Sequence, residues 1–120
     1  MTFETFKAYC LSKSGAWEDY PFDERVCVFK VFDKMFALCV DEKPLHVNLK
    51  CDPIYALELR SLYSAVSAGY HMNKKHWNTI EANSDVDDNL LKELVDDSYA
   101  LIVSKLTKKQ KTELRNEDSK

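Results

Sequence analysis

The sequence predicts an α+β fold, a two-layer sandwich in which an antiparallel sheet of about five strands carries helices on one face. Three observations lead to this prediction. Apolar residues recur at helical spacing near the start, in the middle and near the end of the chain. Between these segments, short β-rich runs alternate apolar with polar residues and are separated by turn residues. The third is the resulting order of elements, α-βββ-α-ββ-α, which is typical of this architecture.

The N-terminal segment is predicted to form a helix followed by a loop. Thr2 can cap the helix, because its hydroxyl can accept a hydrogen bond from a free backbone N–H group of the first turn. Residues 12–23 mix Ser, Gly, Pro and acidic residues, a composition that favours a loop. We expect the aromatic residues Trp17, Tyr20 and Phe22 of this loop to cover the core.

Three antiparallel strands are predicted at residues 26–32, 35–40 and 45–51, where β-rich runs are separated by turn residues. The third strand shows the clearest alternation. Its apolar residues are Leu45, Val47 and Leu49, and its polar residues are His46, Asn48 and Lys50. Successive side chains of a strand point to opposite faces, so we expect the apolar set to lie beneath the helices and the polar set to be exposed or functional.

The next segments are predicted to form a helix and two further strands. Asp52 precedes Pro53, a combination that favours the start of a helix, and the apolar pattern continues to residue 63. Residues 66–70 and 76–81 are predicted to be short strands on either side of a polar connection. These two strands would extend the sheet from three strands to five.

The last predicted helix covers residues 87–106, where leucine, valine and isoleucine form one apolar stripe. The residues that follow are mostly charged. We therefore expect one domain at residues 1–106 and a charged helical extension or tail at residues 107–120.

Four dispersed cysteines and the character of the N-terminal residues indicate a protein of the cytoplasm. The N-terminal residues lack the basic and apolar regions of a secretory signal. The longest apolar runs fall far short of the roughly 20 residues needed to cross a bilayer. The cysteines are Cys10, Cys27, Cys39 and Cys51, with no CxxC pair of the kind that holds zinc. We expect free, mostly buried thiols and no metal, cofactor or membrane partner.

Charge is distributed unevenly along the chain. The net charge of −3 argues against nucleic acid as a partner. Residues 43–76 nevertheless carry 5 basic and 2 acidic groups, whereas residues 77–100 carry 1 basic and 7 acidic groups. Any anion-binding surface is therefore expected to be local.

The densest polar cluster lies between His71 and His76 and favours a turn over a catalytic or metal site. Their five-residue spacing does not match the helical spacing of paired metal ligands. As general bases they would need a nucleophile or carboxylate held beside them, and no diagnostic spacing provides one. We therefore expect a non-enzymatic protein. Trp77, which follows the cluster, could stack on a base, but burial is the more common role for such a residue.

Several segments together resemble the MmcQ/YjbR family of small bacterial proteins. The asparagine-lysine-x-histidine-tryptophan segment is the most specific of them. The matching residues are Leu49-Lys50-Cys51-Asp52-Pro53, Leu59-Arg60, Gly69-Tyr70-His71-Met72-Asn73-Lys74-Lys75-His76-Trp77-Asn78-Thr79 and Asp97-Ser98-Tyr99. The likeness extends over nearly the whole chain, from the N-terminal helix to about residue 106.

The resemblance implies a two-layer fold similar to CyaY and to type III secretion chaperones, and a DNA-binding role proposed for the family. Its candidate DNA-binding residues on this chain are Lys50, Arg60, His71, Asn73, Lys74, His76 and Trp77, with Lys75 as a basic neighbour. Four of the cations, Lys50, Arg60, Lys74 and Lys75, would then have to converge on one face, because several phosphates must be contacted together.

Two other functions remain open from the sequence. An exposed sheet face could hold a peptide or protein partner, and a contiguous apolar patch would favour that function over DNA binding. A small-molecule site or an enzyme using His71 and His76 would require a concave pocket with converging polar groups. The same motif residues could also specify the fold alone, with Pro53 starting a helix and Gly69 permitting a bend.

Overall fold

Helices and strands follow one another in the predicted order, with one further strand near the N-terminus and a helix at the C-terminal end. The computed structural model describes residues 1–118. In this range the helices are α1 (Phe3–Leu11), α2 (Pro53–Leu62), α3 (Asp88–Ser104) and α4 (Lys108–Asp118). The strands are β1 (Ala16–Asp19), β2 (Val26–Val31), β3 (Lys34–Val40), β4 (His46–Lys50), β5 (Val66–Ala68) and β6 (Trp77–Glu81). They form one antiparallel sheet in the order β1-β2-β3-β4-β6-β5.

Polar caps begin the helices where the sequence predicts them. The Thr2 hydroxyl accepts a hydrogen bond from the backbone N–H three residues later. Asp52 accepts from the backbone N–H of Ile54 at 3.1 Å, and Asp87 accepts from that of Leu90 at 2.7 Å. Each cap pairs an N–H group that has no partner inside its helix, so it stabilises the boundary.

Strand β1 lies within the segment that the sequence predicts to be a loop. It pairs with β2 at the edge of the sheet. Trp17, Tyr20 and Phe22 are 43%, 43% and 64% exposed, so the prediction that their rings cover the core is wrong. The Trp17 ring is held outside the core, where its N–H group donates to the carbonyl of Phe32 at 2.9 Å. An edge strand needs only one neighbour, and its short, polar sequence carries little β signal.

The predicted register of the third predicted strand, β4, is confirmed. Leu45, Val47 and Leu49 are at most 4% exposed and belong to the main core, whereas the polar residues between them are only partly buried. Buried residues of all four helices join this core, including Leu114 from α4. The helices therefore pack on one face of the sheet, and the opposite face carries no helix among residues 1–118.

All four cysteines are buried and carry free thiols. Cys27 and Cys39 lie directly opposite each other on β2 and β3. Burial raises the pKa of the Cys39 thiol to about 12, and it also raises the pKa values of the other three. Protonated thiols are weak nucleophiles and poor metal ligands, so these residues act as small core residues.

No helix within residues 1–118 is both long and apolar enough to span a lipid bilayer.

Candidate functional site

The open face of the sheet has a small apolar cluster of its own. Trp77 on β6 packs there with Val28 and Leu38, and it is only 7% exposed. The burial expected for Trp77 is thus confirmed. Its ring contributes to the fold and is not free to stack on a nucleic-acid base.

The loop between β5 and β6 is shaped by its own polar residues. Asn73 accepts a hydrogen bond on its side chain from the backbone N–H of Lys75, at 3.0 Å. Its carbonyl oxygen accepts from the backbone N–H groups of His76 and Trp77, at 3.2 and 2.9 Å. At Gly69, an added Cβ atom would lie only 2.8 Å from the Trp77 Cβ, so the close approach requires glycine. These motif residues therefore determine the conformation of the loop.

Arg60 connects helix α2 to the same loop. Its Nε donates to the Asn78 side-chain oxygen at 2.7 Å, and its Nη2 donates to the carbonyl oxygens of Lys74 and of Trp77, the latter at 3.3 Å. Asn78 is itself 1% exposed and donates to the Ala56 carbonyl at 3.3 Å. Nε and Nη2 of Arg60 thus donate to groups within the protein, which is a structural role for a predicted DNA-binding residue.

The other predicted cations gather at the end of the sheet beside this loop. Lys50 lies opposite Trp77 on β4 and β6, and the N–H of the residue after Lys50 donates to the His76 carbonyl at 2.8 Å. Lys74 donates from Nζ to the carbonyl of Gly69 at 3.1 Å, and Lys75 is exposed. The fold thereby brings together residues that are distant in sequence.

The remaining motif residues, Ser98 and Tyr99 on α3, connect the helix to the sheet. The buried Ser98 hydroxyl donates to the carbonyl of Phe36 at 2.5 Å and accepts from the N–H of Lys50 at 2.9 Å. The Tyr99 ring contacts that of Phe36 edge-on, with centroids 5.5 Å apart. Both residues stabilise the covered face, as expected if they specify the fold.

A groove lies on the open face of the sheet. Its volume is about 650 Å³. It is lined by Phe22, Val26, Leu38, Cys39, Val40, Glu42, His46, Asn48, Tyr70, His71, Met72 and Thr79. Phe22 and Tyr70 are 64% and 70% exposed, and the Tyr70 ring contacts the His71 ring at an interplanar angle of 51°, with centroids 4.0 Å apart. The groove therefore has an apolar floor and two exposed aromatic rings.

Hydrogen bonds link the polar groups that line this groove. The backbone N–H of Tyr70 donates to the Thr79 hydroxyl at 3.0 Å, and that hydroxyl donates to the Asn48 side-chain oxygen at 2.6 Å. Beside them, Nε2 of His46 lies 3.5 Å from a carboxylate oxygen of Glu81. Within residues 1–118, no group of three or more potential metal ligands is present.

Of the binding residues predicted from the sequence, the structure places only His71 in the groove. The alternation of β4 does predict a polar open face with Asn48 on it. It could not identify Phe22 and Tyr70 as groove residues, because their loops are distant in sequence and approach the sheet only in the folded chain.

The comparisons with known proteins show the family. The sequence model of the YjbR family matches residues 11–101. The uncharacterized protein YbdF of Escherichia coli O157:H7 is 35% identical over 113 residues, which cover 93% of each chain.

Solved structures show the same fold. The Deinococcus radiodurans protein DR2400, described as a DUF419 domain, superposes with a TM-score of 0.87 at 38% identity, over 94% of this chain and 87% of that one. A Pseudomonas syringae protein superposes with a TM-score of 0.74 at 27% identity, over 84% of this chain and 98% of that one. The fold and the family resemblance predicted from the sequence are both confirmed. The chain belongs to the YjbR family.

Proposed function

We propose that this chain is a non-enzymatic binding protein of the cytoplasm, and that the groove on its open sheet face binds a small, largely apolar molecule. The groove itself is the observation that supports the proposal. Its volume of about 650 Å³ lies within the range of ligand sites, which hold a few polar groups in a mainly apolar lining. The exposed rings of Phe22 and Tyr70 offer apolar surface that a ligand would bury.

Binding is favoured over catalysis by the hydrogen bonds in the groove. A nucleophilic hydroxyl needs a base that takes its proton. The Thr79 hydroxyl instead donates to an amide oxygen of Asn48, which is not a base. His46 lies beside Glu81, and the His71 ring contacts that of Tyr70 at a tilt. Neither histidine is therefore the hydrogen-bond partner of the Thr79 hydroxyl.

A titration followed by NMR tests the proposal. The probe is 2-acetonaphthone, a flat apolar ketone, added to ¹⁵N-labelled protein. We expect shift changes in residues that line the groove, and weaker binding when Phe22→Ala and Tyr70→Ala are combined. Ile54→Ala with Leu57→Ala is the matched control, because these α2 residues are 77% and 63% exposed and lie outside the groove. Absence of groove shifts, or equal loss in both double variants, would contradict the proposal.

DNA binding is the second candidate, and the gathering of Lys50, Lys74 and Lys75 at one end of the sheet is the observation that favours it. Binding through three lysines should weaken roughly 40-fold between about 50 and about 200 mM salt. Fluorescence anisotropy with a labelled duplex measures this dependence. Lys50→Glu with Lys75→Glu should abolish binding, whereas Lys108→Glu with Lys111→Glu is the control on α4. If wild-type protein does not bind duplex at the lower salt concentration, this candidate is wrong.

A further inference from the structure

We propose that the ligand of this groove carries a neutral carbonyl oxygen, and that the side-chain amide of Asn48 donates a hydrogen bond to it from Nδ2. This inference rests on the proposed function, and it names the chemical class of the ligand.

The neighbours of the Thr79 hydroxyl determine where its proton lies. A backbone N–H group can only donate, so the bond from Tyr70 at 3.0 Å makes the Thr79 oxygen an acceptor there. The single proton of the hydroxyl is then available for the contact of 2.6 Å with Asn48. This distance is typical of an O–H group donating to an oxygen and is short for an N–H donor.

The hydrogen bond from Thr79 determines the orientation of the Asn48 side-chain amide. Because its oxygen accepts from Thr79, its NH₂ group occupies the other position. Among the residues described, no protein acceptor pairs with Nδ2 of Asn48, although the side chain lines the groove. The groove therefore presents a donor with two free N–H bonds whose orientation is held by its neighbours.

The surroundings of this donor are mainly apolar. Apolar side chains such as Val26, Leu38 and Val40 line the groove, and a hydrogen bond in an apolar environment is electrostatically stronger than one in water. A ligand without an acceptor would cover the donor and leave it unpaired, which costs free energy. A ligand with an acceptor at this point is therefore favoured over a pure hydrocarbon.

Carboxylates in and beside the groove favour a neutral acceptor on the ligand over an anionic one. The carboxylate of Glu42 lines the groove, and that of Glu81 lies beside His46. These negative groups repel a ligand carboxylate, whereas a ketone, ester or amide oxygen accepts the same hydrogen bond without a full charge. The chemistry of the groove thus fits a planar apolar compound with a neutral carbonyl group.

Three naphthalene probes of similar size test this inference in the full-length protein: 2-acetonaphthone, 2-ethylnaphthalene and 2-naphthoate. We expect the ketone to bind more tightly than the other two. Asn48→Asp retains an oxygen that can accept from Thr79 but removes the donor. In this variant the ketone should bind about tenfold more weakly, and the hydrocarbon should bind as before. Asn89→Asp, on an exposed position of α3, controls for the added charge.

The outcomes separate this inference from the proposed function. If none of the probes binds in the groove, the proposed function is wrong and the inference falls with it. If the ketone and the hydrocarbon bind equally, or if Asn48→Asp leaves the ketone unaffected, the groove binds ligands and the inference alone is wrong. Groove shifts that depend on protein concentration, or that only an apolar peptide produces, would assign the groove to a protein partner and overturn the inference.

Discussion

The two faces of the sheet are built from the same strands and differ in what covers them. On β4, Val47 and Leu49 are at most 2% exposed beneath the helices, while Asn48 between them faces the groove. The period of two along a strand produces both sets from one segment. The comparison shows that, among residues 1–118, the helices cover one face of the sheet and leave the other face uncovered.

Polar groups differ between the faces in the same way. On the covered face, Ser98 and Asn78 are almost fully buried, and both are paired within the protein. On the open face, Asn48 lines the groove, and its side-chain oxygen is paired with the Thr79 hydroxyl. Buried polar groups must be paired within the protein to be tolerated. In the proposed binding site, the ligand would supply the hydrogen-bond partner of the Asn48 NH₂ group.

The largest contrast is expected from two phenylalanines. Phe29 is 0% exposed and contacts the Phe6 ring edge-on, while Phe22 is 64% exposed. Phe29→Ala should lower the free energy of unfolding by about 3–5 kcal/mol, because it removes core packing and leaves a cavity. Phe22→Ala should change it by less than about 0.5 kcal/mol. Urea denaturation measures both values, and equal losses would show that Phe22 closes the core after all.

Arg60 connects α2 to the loop between β5 and β6, so its loss should be the next largest effect. Arg60→Met removes hydrogen bonds to Asn78 and to the loop backbone and should cost about 1.5–3 kcal/mol. Amide hydrogen exchange of residues 73–77 should also accelerate. Lys75→Met is the control, since that exposed side chain should add little to stability. If both variants are equally stable, the guanidinium is free for a ligand such as phosphate.

A smaller effect is expected from the hydroxyl that joins α3 to the covered face. Ser98→Ala removes hydrogen bonds to the backbone of Phe36 and Lys50 and should cost about 1–2 kcal/mol. Ser61→Ala deletes an exposed hydroxyl that bonds only within its own helix, and it should be near neutral. Thermal unfolding of the two variants provides the comparison. A neutral Ser98→Ala would mean that water or a shift of the backbone replaces the hydroxyl.

The smallest effect should come from Asp85 at the margin of the sheet. Hydrogen bonds from the backbone N–H groups of Ala65 and Ser64 lower the pKa of Asp85 from its ordinary value of 3.8. A lowered folded-state pKa adds stability above pH 3.8, which is lost as the pH falls through the folded-state pKa. Asp85→Asn should therefore be less stable than wild type at pH 6, and the difference should shrink at pH 3. Urea denaturation at both pH values tests this, and a constant difference would contradict it.

Much of the fold follows from local patterns. The cap at Asp52 and the alternation of β4 each predict a feature that the structure shows, because one residue's hydrogen bond or one strand's period determines it. Strand β1 was not predicted from the sequence, because the formation of an edge strand of four residues depends on pairing with β2 and not on its own composition. The candidate site was harder to predict, because Phe22 and Tyr70 lie in loops that are distant in sequence and border one groove only in the folded chain.

The sequence by itself determined which faces of the strands are apolar, where the helices begin and which family the chain resembles. These properties depend on residue type and spacing within short segments. Only the tertiary structure decided that Arg60 serves the fold, and that Phe22 and Tyr70 border one groove with Asn48. The physical reason is that the hydrogen bonds of Arg60 and the concave surface of the groove both require contacts between segments that are distant in sequence. Such contacts depend on how the helices and strands pack together.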